Sequence, residues 1–228
     1  MKNYKIICID MFQTLVNVES RVQHIWKRIL EEDYNEELKE KYVKIVKTKI
    51  VDKFHINAGT KIKFKSLKEI FLASFDDIFK ENNAKYCPRY STKVFMQEHD
   101  NAELYHDSIE FVNRAKKNYK VCLVSDADFE MVENQVKRFN FDNFFISEKS
   151  QSYKGEPNNK IFKEVINHYN VSPNQIIHIG DSSSDIIGAN RAGINTCWIN
   201  RHNYKKRFDI KPDHEVKSLM ELYPILDI

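Results

Sequence analysis

Five apolar segments of strand length recur along this 228-residue chain, at Tyr4 to Ile9, Tyr119 to Val124, Phe144 to Ile146, Ile176 to Ile179 and Thr196 to Ile199. Helical patterns lie between them. Strands that alternate with helices need right-handed crossovers, and a crossover brings the chain back parallel to the strand it left. The expected fold class is therefore α/β, a Rossmann-like parallel sheet with helices on both faces. Residues 17–100 interrupt the alternation. There Val22, Ile25, Trp26, Ile29 and Leu30 recur at helical spacing, as do Phe64, Leu67, Phe71, Phe75, Ile78 and Phe79. An all-helical insert is expected over 17–100, set into a core made of 1–16 and 101–228, with its aromatic stripe assigned to packing.

Hydrophobic residues make up 42% of the chain and charged ones 30%, enough apolar side chain for a sizeable core and too much for disorder. The net charge of +3 is too small to argue for nucleic acid. Lys44, Lys47, Lys49, Lys53, Lys61, Lys63 and Lys65 read as a solvated helix face, and Arg201, Lys205, Lys206 and Arg207 as loop. The first apolar run is four residues long, too short for a signal peptide or a membrane span, so a cytoplasmic protein with no membrane partner is expected. Cys8, Cys87, Cys122 and Cys197 are widely separated and three fall in expected strands, which favours buried thiols over a disulfide framework or a zinc site. Neither a glycine-rich dinucleotide fingerprint nor a phosphate-loop lysine follows the first strand. His24, His55, His99 and His106 have no partner carboxylate at a fixed offset and are read as surface residues.

Ligands of open parallel sheets bind at the C-terminal edge of the strands, so polar residues just after the apolar runs carry the functional information. Asp10 ends Ile6-Ile7-Cys8-Ile9 and leads into Met11-Phe12-Gln13-Thr14-Leu15. Three further segments follow in order: Leu123-Val124-Ser125-Asp126, Tyr153-Lys154-Gly155, and Ile179-Gly180-Asp181-Ser182-Ser183-Ser184-Asp185. Read by themselves, Asp10, Ser125 and Asp185 could each cap a helix.

Taken together, the four segments resemble the haloacid dehalogenase superfamily of aspartate-nucleophile hydrolases, over about 1–15 and 105–202. The resemblance implies that the insert is a helical cap, a lid that excludes water and carries substrate choice. It implies that Asp10 attacks phosphorus to give an aspartyl-phosphate. Ser125 and Lys154 would then hold the phosphoryl group, with Thr14 and Asp126 beside the substrate, a small phosphorylated metabolite. Magnesium (Mg2+) would sit on Asp10, Asp181 and the backbone carbonyl of Phe12, with Asp185 as a supporting ligand or as a partner of the ligands. The superfamily's third motif usually shows Lys-Pro shortly before Ile-Phe. Here Glu156 precedes Pro157 and Ile161-Phe162 follow, so the lysine is displaced by two positions and Lys160 is the alternative to Lys154.

One departure bears on the chemistry. Superfamily phosphatases usually carry a second Asp two residues after the nucleophile, to protonate the leaving alcohol and then activate water; this chain has Phe12. Losing a general acid or base typically costs about 10² to 10⁴ in rate. Three escapes are open: a leaving group that needs no proton, an acid supplied from near Gln13 or from the cap, or a protein that binds without turnover. Haloacid dehalogenases resemble this chain in having an aromatic residue at that place, since halide leaves unprotonated. They need no metal, however, and lack an acid where Asp181 stands, so the retained Gly180-Asp181 favours phosphoryl chemistry. Asp126 would repel a phosphate unless it turns away, pairs with a lysine or serves as the missing acid.

Overall fold

The computed structural model of the protein describes residues 4–58 and 63–228, with the side chains of 51–58 excepted. Lys53, His55 and Lys61 of the sequence reading lie outside what is described. The strands are β1 (Ile6–Ile9), β2 (Val16–Asn17), β3 (Glu103–Leu104), β4 (Lys120–Ser125), β5 (Asn143–Ile146), β6 (Ile176–Gly180), β7 (Asn195–Ile199) and β8 (His214–Val216). The helices are α1 (Val22–Leu30), α2 (Glu36–Ala58), α3 (Leu67–Glu81), α4 (Pro88–Asp100), α5 (Ser108–Ala115), α6 (Glu133–Phe139), α7 (Ser147–Ser150), α8 (Lys160–Tyr169), α9 (Ser183–Arg191) and α10 (Tyr223–Leu226).

Six strands form one parallel sheet in the order β5-β4-β1-β6-β7-β8. The central strand, β1, is buried on both faces. Ile7 and Ile9 join one apolar cluster while Ile6 and Cys8 join another on the opposite face, the two-residue alternation of a strand covered on both sides. The fold is the expected α/β class. The five strands read from the sequence all form, within a residue or two of their expected ends, and β8 is an addition. It is only three residues long, with one of them buried, so it carries little apolar signal.

Between β1 and β4 the chain leaves the sheet through β2 and returns through β3. These two form a short antiparallel ribbon in which Val16 faces Leu104 and Asn17 faces Glu103. Beyond the ribbon every described element is helical, from Val18 to Asp100. Phe64 is an exception to the helical stripe read from the sequence. It precedes α3, whose start is set by a capping box between Ser66 and Glu69, and it packs on Tyr153 with ring centroids 5.0 Å apart.

The helical segment is seated on the sheet by buried polar contacts. Asp128 accepts hydrogen bonds from Leu67 N (3.0 Å) and Lys68 N (2.8 Å) at the start of α3, where unpaired amides and the helix dipole favour a carboxylate. Tyr153 donates to the Lys65 carbonyl at 2.5 Å, and Asn134 donates to Asp100 at the end of α4. Arg201 closes the other side. Its guanidinium donates to the Thr14 carbonyl and to Asp107, and it stacks 4.0 Å above the Tyr105 ring. A residue read as loop from the sequence is thus the tie between β7 and the crossing ribbon. Lys205, Lys206 and Arg207 beside it are exposed.

All four cysteines are free thiols. Cys8 and Cys122, far apart in sequence, are register partners on β1 and β4 with sulfurs 3.5 Å apart. Burial raises the Cys8 thiol's pKa well above its ordinary value and makes it a packing group.

Candidate active site

Parallel pairing brings the C-terminal ends of β1, β4 and β6 to one edge, and the residues that follow them converge there. Asp10 is buried just past β1, and its Oδ1 accepts from Ser125 Oγ at 2.8 Å and from Lys154 Nζ at 2.6 Å. Ser125 is the last residue of β4, and Lys154 comes from the loop between α7 and α8. Lys154 also donates to Asp185 Oδ1 at 2.5 Å. Lys160, at the start of α8, is exposed. The structure therefore brings Lys154 to Asp10 and leaves Lys160 outside.

Asp185 does two jobs at once. Its Oδ2 accepts from the Ser182 amide and hydroxyl, while the Ser182 hydroxyl accepts from the Asp185 amide, which closes the capping box of α9. Its Oδ1 accepts from Lys154 and from His178 Nε2 at 2.7 Å. Burial opposes the charge on Asp185, but Lys154 and His178 overcome it and hold its carboxyl below the usual range. Burial likewise opposes the charge on Lys154, yet Asp10, Asp185 and Asp126 raise its pKa and keep it protonated. His178 escaped the sequence reading; its signal was a lone polar side chain in the run Ile176 to Ile179.

Two glycines make this approach feasible. A Cβ on Gly180 would lie 2.2 Å from the Asp185 carboxyl carbon, and one on Gly188 would lie 2.0 Å from the Lys154 carbonyl oxygen. The first belongs to the motif read from the sequence. The second is recognisable only once α9 is packed against the lysine loop.

Asp126 turns away from the nucleophile. Its Oδ1 accepts from the Lys154 amide at 2.8 Å and its Oδ2 from Ser184 Oγ at 3.3 Å, so it braces the loop that presents the lysine. Burial pushes its pKa up to about 6. Thr14 is fully buried, and among the described residues its hydroxyl has no partner. Asp181 is half-buried just past β6, where its carbonyl accepts from Trp198 Nε1 at 2.8 Å.

One oxygen each from Asp10, Asp181 and Asp185 lies within 4.8 Å of the others. Burial, then the crowding of like charges, raises the pKa of Asp181 well above its ordinary value. Burial raises that of Asp10 as well, in spite of Lys154. Such a set of hard oxygen donors, short of positive charge, suits a divalent cation. Both oxygens of Asp185 are already engaged, whereas Asp10 Oδ2 has no protein donor among the described residues. Asp10 and Asp181 would therefore be the direct ligands and Asp185 a partner of the ligands. The backbone bonds at this turn run from Gln13 N to Val16 O and from Val16 N to Met11 O, which leaves the Phe12 carbonyl without a backbone partner among the described residues.

The Phe12 ring faces the helical segment. It meets the His99 imidazole edge to face, with centroids 5.3 Å apart, and His99 in turn packs on Phe95 and Phe71. His99, read from the sequence as a surface residue, is half-buried, because α4 turns it inward onto Phe12. Near Gln13, the Tyr105 hydroxyl donates to Gln13 Oε1 at 3.1 Å, and burial pushes its pKa up to about 12.

Fold and edge together define a doubly wound α/β protein with an acidic site at the end of its central strand. Residues 4–193 match the family of haloacid dehalogenase-like hydrolases, and the chain belongs to that family. It is 29% identical over 128 residues to (S)-2-haloacid dehalogenase 4A of Burkholderia cepacia, a match covering 54% of each chain, so it spans about half the length of that relative. It is 23% identical to a glyceraldehyde 3-phosphate phosphatase of Pyrococcus furiosus, over 67% of this chain and 68% of the other. Its fold superposes on HAD-hydrolase YfnB of Bacillus subtilis, solved bound to magnesium, with a TM-score of 0.83 at 20% identity over the whole of both chains. The L-2-haloacid dehalogenase of Xanthobacter autotrophicus superposes with a TM-score of 0.81 at 14% identity, over 98% of each chain.

Proposed function

We propose that this hydrolase is a magnesium-dependent phosphatase of small phosphorylated metabolites in the cytoplasm, with residues 17–100 acting as its helical cap. The observation that carries the reading is the pairing of Asp10 with Lys154 beside a second carboxylate, Asp181. A dianionic phosphoryl group approaching a carboxylate nucleophile needs positive charge on both. Lys154 supplies one such charge, and magnesium on Asp10, Asp181 and the Phe12 carbonyl would supply the other by polarising phosphoryl oxygens.

In this reading Asp10 attacks phosphorus in line and the ester oxygen departs on the far side, towards Phe12 and the helical segment. Ser125 and Lys154 then turn from Asp10 to the phosphoryl oxygens. Asp185, itself held by His178 and Ser182, keeps its bond to the lysine amine while that amine exchanges Asp10 for phosphoryl oxygen, and Asp126 anchors the lysine backbone. Water attacks the aspartyl-phosphate and regenerates Asp10. No carboxylate stands at position 12 to help the leaving group or the water, so slow turnover is expected with alkyl esters. The test is phosphate release from a substrate panel with and without magnesium, with Asp10→Asn alongside. Magnesium-dependent release that the variant loses supports the reading, and unchanged release by Asp10→Asn would sink it.

A dehalogenase has a specific observation behind it, the aromatic Phe12, and it predicts metal-independent chloride release from 2-chloropropionate. The retained Asp181 weighs against it. A binding protein without turnover would give silence in both assays.

A further inference from the structure

The helical segment contains a cleft of about 230 Å³ between α1, α2 and α4. Its walls include Val22, Ile25, Val43, Val46, Phe95 and His99. The imidazole has its Nδ1 committed to the Phe95 carbonyl at 2.7 Å, and Lys47 stands exposed at the rim. His99, a wall of the cleft, meets the Phe12 ring, and Phe12 is two residues from Asp10.

Two independent features of this corner point to the same chemistry. The first is room and polarity. Apolar cavities of about 150 Å³ take a benzene ring, so this space suits one six-membered ring with a small substituent. A sugar or a nucleoside would bring hydroxyls that valine and isoleucine cannot satisfy, and burying a hydroxyl without a partner is unfavourable. The second is the absence of a carboxylate at position 12. A phenolic oxygen has a pKa of about 10 and leaves as an anion far more readily than an alkoxide, so it is the oxygen that least needs an acid there.

We infer that the cleft between α1, α2 and α4 receives the leaving group of an aryl phosphate monoester, whose ring packs on these aliphatic walls while its phosphate meets Asp10. The inference rests on the phosphatase reading and narrows its substrate class. An Asp10 oxygen bonds to phosphorus as the bond from phosphorus to the aryl oxygen breaks. The electron pair leaves with the phenolate, which takes a proton from water. A second water then delivers its oxygen to phosphorus, so that phenol and inorganic phosphate are the products and Asp10 returns as a carboxylate.

The experiment compares phenyl phosphate, 1-naphthyl phosphate, propyl phosphate, glycerol 1-phosphate and acetyl phosphate with the native protein and magnesium, alongside Val46→Phe and Val46→Ala. The expected kcat/KM for phenyl phosphate exceeds that for propyl phosphate by at least about 100-fold, the lower bound of a missing acid's effect. Val46→Phe fills the cleft and should raise KM for phenyl phosphate about tenfold, whereas Val46→Ala should shift preference towards the naphthyl ester. That gain is something a merely structural role would not produce. If Val46→Phe loses its folding transition, Val43→Phe takes its place. Equal rates on propyl and phenyl phosphate, or an aryl preference that neither variant moves, overturns the inference and leaves the phosphatase standing. Absence of phosphate from every ester and from acetyl phosphate overturns both.

Discussion

At the C-terminal edge of the sheet, a single lysine amine serves two buried carboxylates, and each carboxylate answers to further donors from Ser125, His178 and Ser182. In the helical segment the side chains meet mostly one another: Phe95 meets Phe71 and Phe75 edge to face and His99 at a tilt, and Phe95 and His99 line an apolar cleft. Changing one member of the first region strands a charge in a low-dielectric interior. Changing a wall of the second alters only volume and shape. A site whose electrostatics must be in place before substrate arrives belongs in the first kind of surroundings, and a site that must suit a particular leaving group can be built in the second.

The largest effect expected on this contrast comes from Asp10→Asn, which removes the nucleophile while keeping its shape. Phosphate release should fall on the order of 10⁴-fold or more, read as kcat in a steady-state assay. Phe12→Asp tests the opposite side, since restoring a carboxylate beside the leaving group should raise turnover of propyl phosphate by about 10² to 10⁴ while changing phenyl phosphate much less. Equal gains on both esters would show that departure of the leaving group was never the slow step.

Lys154→Met examines stability in place of rate. It leaves Asp10 and Asp185 buried without their shared cation, and the expected loss is about 3 to 5 kcal/mol in a urea titration. In the helical segment the nearest counterpart is Glu98, which receives Arg21 at 2.7 Å and Arg28 at 2.6 Å. Those arginines can turn to water, so Glu98→Ala should cost only about 1 to 2 kcal/mol. A loss as large as that of Lys154→Met would mean that the two regions do not differ as described.

The smallest effect is a pH dependence at the tie between them. Burial opposes the charge of Asp107, but Arg201, Ser218 and the Leu219 amide overcome it and hold its carboxyl below the usual range. A depressed carboxyl contributes stability that is fully present above its unfolded value near pH 4 and is lost as pH falls through the folded value. Asp107→Asn should therefore be less stable at neutral pH and show a flatter decline in stability below pH 4. An unchanged acid limb in the variant would assign that limb to other carboxylates.

Much of this contrast is legible in the chain and some of it is not. The apolar runs ending in Asp10, Ser125 and Asp181 reveal themselves because a parallel strand buried on both faces must be continuously apolar, which makes the first polar residue after it conspicuous. The loop of Lys154 departs from the usual spacing, and only the packing of α9 on that loop shows which lysine turns inward. His178, Gly188 and Arg201 carry no local signature, because each acts on a residue that is a neighbour in space alone: Asp185 across a strand end, Lys154 across a helix, Thr14 across 187 positions of sequence. The inward turn of His99 onto Phe12 has no local signature for the same reason. Local periodicity, through side-chain alternation and burial, determined that this chain forms a parallel α/β sheet with an acidic edge and a helical excursion after its first strand. Which way the excursion's side chains face, what the Phe12 ring packs against, and which buried groups share one lysine were decided by tertiary packing, because those relations depend on distances that sequence separation does not encode.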